Sequence, residues 1–127
     1  MTASFVLHRA ARALASGEVP WGRKFFVETD GCRCALGVVA YAADPSDPDG
    51  DPRYVDRSVR PDATAAVEAL ADYLVNELGA PRCVTEDGGL DVIETVGGWN
   101  DEPDRTVNQV VAALMAAARY ARKAVAA

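Results

Sequence analysis

Apolar residues recur every three or four positions in three long stretches of the chain, and that period predicts helices. From Ser4 to Ser16, Leu7, Ala10, Ala11 and Leu14 share one face, Arg9 and Arg12 point away, and Gly17 marks the stop. From Asp62 to Leu78, Val67, Leu70, Ala71, Leu74 and Leu78 form one stripe and Glu68, Asp72 and Asn76 another, ended by Gly79 and Pro81. The third stretch opens with Thr106-Val107-Asn108-Gln109, a capping-box sequence. It continues through Val107, Val110, Val111, Leu114, Ala118 and Ala121 to a basic end that suits the helix dipole.

Between these stripes the pattern changes. Cys34 to Ala43 is almost unbroken apolar sequence, which predicts a short buried helix closed by Asp44-Pro45. Lys24-Phe25-Phe26-Val27-Glu28, followed by Asp30-Gly31, reads as an extended segment or small strand. Residues 44–53 are crowded with Asp and Pro and predict a surface loop. Glu86-Asp87-Gly88-Gly89 is a turn, after which Leu90, Val92, Ile93 and Val96 fit a short helix or an edge strand, the spacing slightly favouring helix.

The expected fold is therefore mostly α: one compact domain over residues 1–127, a helical bundle around the short Cys34 helix. The first, Asp62 and C-terminal helices would surround it, with at most a small two-stranded β element. A chain of 127 residues, 50% of them apolar, has material for one core and too little for two domains.

Composition narrows the function classes. Ala and Val dominate and aromatics are few, so closely packed helices are expected rather than a wide ring-lined cavity, and no cofactor is expected. The formal net charge of -6 disfavours a nucleic-acid partner unless the cations gather on one face. Arg119, Arg122 and Lys123 form one partial cluster, and Arg9, Arg12, Arg23 and Lys24 are candidates for another. Solvated helix faces explain both more simply. Arg9 and Arg12 interrupt any signal-peptide core, and no stretch is long enough to cross a bilayer. Three cysteines fit a reducing compartment, so the expected location is cytoplasmic.

Two short motifs carry the candidate chemistry, Cys34-Ala35-Leu36-Gly37 and Trp99-Asn100-Asp101-Glu102-Pro103, each placed where a helix is expected to begin. At a helix N-terminus the dipole would lower the Cys34 pKa and favour a nucleophilic thiolate. The only histidine, His8, is the candidate base, and Asn100 or Asp101 would orient it. Against this stands a simpler account, favoured here: Cys34 a small buried apolar residue, Asn100 and Asp101 bracing a turn, and Trp99 anchoring the core.

No metal site is expected. Cys32, Cys34, Cys83 and His8 lack zinc-ligand spacing, and Asp47, Asp49 and Asp51 lack the glycine and terminal Glu of a calcium loop. Phosphate-loop, dinucleotide, nucleophile-elbow and zinc-protease signatures are absent.

The order of motifs resembles DUF6197, a family of small actinobacterial and phage proteins of unknown function. The residues that carry the resemblance are Trp21, Asp30-Gly31, Cys34-Ala35-Leu36-Gly37, Trp99-Asn100-Asp101 and Arg105-Thr106 with Val110. It implies a mostly helical domain in a bacterial or phage cytoplasm and brings no activity with it.

The leading functional expectation is an accessory or regulatory module that binds a protein or a small polar ligand through Trp99, Asn100 and Asp101. The alternative is a cysteine-dependent hydrolase or acyltransferase using Cys34, His8, Asn100 and Asp101. An acidic decoy of a nucleic-acid-binding partner is a third possibility.

Overall fold

The structure is a computed structural model that describes residues 1–23, 32–46 and 60–126. Among them five helices form: α1 (Ala3–Ala15), α2 (Ala35–Ala43), α3 (Pro61–Asn76), α4 (Val92–Asn100) and α5 (Val107–Ala126).

Local chemistry explains their limits. The Thr2 hydroxyl accepts the Phe5 N–H at 3.1 Å and starts α1, and Gly17 takes the left-handed conformation (φ 78°) that releases the chain after it. Pro61 and Asp62 open α3, suiting a first turn that needs no donor and welcomes a carboxylate. Asp91 caps α4 through the Glu94 N–H at 3.0 Å. At α5 the capping box forms in both directions: Gln109 accepts the Thr106 N–H at 3.0 Å, and Thr106 accepts the Gln109 N–H at 3.2 Å.

The weakest stretch of the sequence resolves by this capping. Leu90 pairs with Val84 in an isolated antiparallel bridge across the Glu86–Gly89 turn, and once Asp91 supplies a cap the chain turns helical. A parallel bridge between Trp21 and Arg33 is the other β contact among the described residues. The expected strand at Lys24–Glu28 and most of the Asp/Pro loop lie outside them.

Two expectations need correction. Cys34 does stand at a helix start, as the N-cap of α2, but Trp99 and Asn100 end α4 and Asp101 is its C-cap. The apolar period that forms α4 begins upstream, at Val92, and carries the motif to the helix's last turn. Secondly, α2 packs against α1, α3 and α4, while α5 lies along α1 and α3. Helix α4 takes the place expected for the C-terminal helix beside α2.

Helix α2 is the most buried element, with Ala35, Leu36, Gly37, Val38, Val39, Ala40 and Ala42 all inside. Val6, Leu7 and Leu14 of α1, Val67, Leu70 and Leu74 of α3, Val96 and Trp99 of α4, and Val110 and Leu114 of α5 complete the core.

Candidate functional site

The segment at Pro20–Gly22 lies beside Arg33: the Arg33 N–H donates to the Pro20 carbonyl at 2.8 Å, and the Gly22 N–H to the Arg33 carbonyl at 2.9 Å. This pairing brings Trp21 and the start of α2 to the end of α4, where Asn100 is 0% exposed. The Asn100 Oδ1 accepts the Trp21 Nε1–H at 2.8 Å and the Ala35 N–H at 3.0 Å. Its Nδ2 donates to the Gly22 carbonyl at 3.2 Å and to the Asp101 carboxylate at 3.1 Å.

An amide side chain offers two acceptor and two donor positions, and all four are used. A flipped amide would set its NH2 against two N–H donors, so only one orientation fits. Ala35 is the first residue of α2, where backbone N–H groups have no intrahelical partner. The N-cap residue, Cys34, makes no side-chain capping bond. Asn100 therefore caps α2 from another helix.

Two guanidinium groups close the turn that follows. Arg105 Nε donates to the Trp99 carbonyl at 3.0 Å, its guanidinium lies 4.0 Å from the Trp99 ring centroid, and its Nη2 pairs with Glu102 at 2.9 Å. Arg23 donates to the carbonyls of Glu102, Pro103 and Arg105 at 3.3, 3.0 and 2.5 Å and stacks 4.9 Å from the Trp21 ring centroid. Planar, multidentate donors on aromatic faces are the contacts at which arginine surpasses lysine.

Cys34 borders this knot and is 4% exposed. Burial pushes its thiol pKa up, and the nearby Asp101 carboxylate adds to that, while the Gly37 and Leu36 amides act in the opposite direction. Desolvation outweighs the helix N-terminus, which opposes the dipole-lowered thiolate of the enzyme alternative. Cys34, Asn100 and Asp101 are thus neighbours. His8 lies elsewhere, exposed on α1 and facing α5.

Among the described residues no three His, Cys, Asp or Glu side chains gather as a metal would require, and Cys32, Cys34 and Cys83 are not joined in disulfides. Asp47, Asp49 and Asp51 lie outside the described residues.

An open groove of about 720 Å³ lies between the first turns of α1 and the second half of α5. Phe5, 54% exposed, forms one wall, Met115, Ala118 and Ala121 the apolar floor, and His8, Arg119 and Arg122 the polar lining. Sequence reading missed this groove. Phe5 falls off the α1 stripe, and Met115 falls off that of α5, which was the available signal.

Residues 1–120 match the Family of unknown function (DUF6197). The chain belongs to that family. In this DUF6197 chain several of the residues that carry the resemblance converge: Trp21, Ala35, Trp99, Asn100, Asp101 and Arg105 meet at or beside the Asn100 amide, while Asp30 and Gly31 lie outside the described residues. No curated protein and no solved structure matches the chain significantly. No helix among the described residues is long and apolar enough to cross a membrane.

Proposed function

We propose that this DUF6197 protein is a small non-catalytic accessory module that binds a protein partner through the α1–α5 groove. One observation carries the reading: a groove of about 720 Å³ with an apolar floor and a half-exposed phenylalanine on its wall. Contiguous exposed apolar surface of this kind marks interaction sites.

The Trp99-Asn100-Asp101 segment suits a structural role better than ligand capture. Trp99 and Asn100 are buried, and the amide has no hydrogen-bonding position left to offer. Three cysteines, none joined in a disulfide, favour a reducing, cytoplasmic setting.

The test is photo-crosslinking in cells, with a benzophenone amino acid in place of Phe5 and, as control, of Glu102. A discrete heteromeric product from position 5, lost on adding Arg119→Glu and absent from position 102, is the expected result. Equal products from both positions, or a cross-linked dimer of the chain itself, would contradict it.

A further inference from the structure

We infer that the occupant of the α1–α5 groove is an acidic amphipathic helix of the partner, an inference that rests on the groove being the protein-binding surface. The first argument is charge. The chain has 19 Asp and Glu residues and a net charge of -6, yet neither α1 nor α5 contains a single carboxylate. The same two helices carry Arg9, Arg12, Arg119, Arg122 and Lys123, with His8 between them in the groove. Among the described residues neither Arg119 nor Arg122 is paired with a carboxylate. The groove of an acidic molecule is thus lined by cations and by no carboxylate of the described residues, and complementary potential selects a partner that supplies the anions.

The second argument is shape. Met115, Ala118, Arg119 and Arg122 follow the i, i+3, i+4, i+7 spacing of a single α5 face, across from Phe5 and His8 on α1. Small alanines at the floor let another helix approach, Met115 adapts to its side chains, and two adjacent helices form the natural seat for a third. The partner's apolar stripe would meet Phe5, Met115 and Ala118, and its Asp or Glu residues would meet Arg119, Arg122 and His8.

Other occupants fit less well. A nucleic-acid backbone would gain nothing from the apolar floor, and a second copy bound about a two-fold axis would set this basic lining against itself.

The experiment is a ¹H–¹⁵N NMR titration of the whole protein with two synthetic helical peptides that share one leucine stripe. One has Glu on its polar face, the other Lys. The Glu peptide is expected to shift the amides of Phe5, His8, Met115, Ala118 and Arg122 and to bind roughly tenfold tighter than the Lys peptide, as two or three partly screened charge contacts allow. Arg119→Glu/Arg122→Glu, at solvent-facing positions of α5, is expected to reverse that order without changing the rest of the spectrum. Equal binding of both peptides at the groove would overturn the acidic-helix inference and leave the protein-binding groove standing. Failure of either peptide to shift groove amides would overturn both. Tighter binding of a DNA duplex at the same amides would replace the helix by a nucleic acid.

Discussion

The side-chain carbonyl of Asn100, at the end of α4, holds the backbone N–H of Ala35, at the start of α2, at 3.0 Å across 65 residues of sequence. A helix start that lacks a side-chain cap of its own is completed by the end of a different helix. The same oxygen holds the Trp21 indole, so three separate parts of the chain depend on one amide.

Replacing Asn100 with alanine removes a partner from the Trp21 indole, the Ala35 N–H and the Gly22 carbonyl at once. A loss on the order of 3 kcal/mol is expected in urea denaturation, because the buried Ala35 N–H and the part-buried Trp21 and Gly22 groups are stranded together. Asn100→Asp keeps the acceptor but sets a carboxylate against the Gly22 carbonyl and the Asp101 side chain. It should rescue only part of the loss. A wild-type-like midpoint for Asn100→Ala would rule out the capping role.

Trp21→Phe retains the ring and loses the Nε1–H donor. Asn100 Oδ1 would still hold Ala35, so a smaller cost of about 1 kcal/mol is expected, read in the same denaturation assay. A cost equal to that of Asn100→Ala would mean that the indole ring, and not its hydrogen bond, is the important contact.

How much of this was legible in the sequence follows from the range of each signal. Helices α1, α3 and α5 carry local signals, an apolar stripe bounded by Gly17, by Gly79 and Pro81 or by the Thr106–Gln109 box, and all three stand within a few residues of expectation. Helix α4 was ambiguous because Gly97 and Gly98 weaken its propensity and its start depends on one Asp91 cap. The Asn100 knot was illegible because its partners lie 65 and 79 residues away, and no local pattern records such a pairing. The groove was missed for a related reason: it exists only once α1 and α5 lie side by side.

Alkylation should separate Cys34 from Cys32 and Cys83, which are partly exposed. The raised Cys34 thiol means that the folded state holds that proton more tightly than the unfolded chain does. Its stabilisation is fully present below the unfolded thiol's pKa and is lost as pH rises through the folded value. Stability should thus fall on the alkaline side, and less steeply in Cys34→Ala. Mass spectrometry of the native protein should find Cys34 the slowest of the three thiols to react. Rapid modification of Cys34 near neutral pH would instead point to an activated nucleophile.

Two glycines should respond in opposite senses. A Cβ on Gly22 would come within 3.1 Å of the Cys32 Cβ, an atom that cannot swing aside, so Gly22→Ala should cost about 1–3 kcal/mol. A Cβ on Gly98 meets nothing within 4 Å on the α4 surface, so Gly98→Ala should stabilise by roughly 0.5 kcal/mol. Thermal melts of both variants check the pair; stabilisation by Gly22→Ala would place Gly22 and Cys32 farther apart than they stand here.

Native-state hydrogen exchange, followed by NMR on the unmodified protein, tests the Asn100 cap most directly. First-turn helix amides without partners exchange quickly. The Ala35 amide and the Trp21 indole N–H are expected to exchange only with global unfolding, at the rate of core amides such as Leu70 and Leu114. Fast exchange of Ala35, at the pace of an uncapped helix start, would contradict the cap.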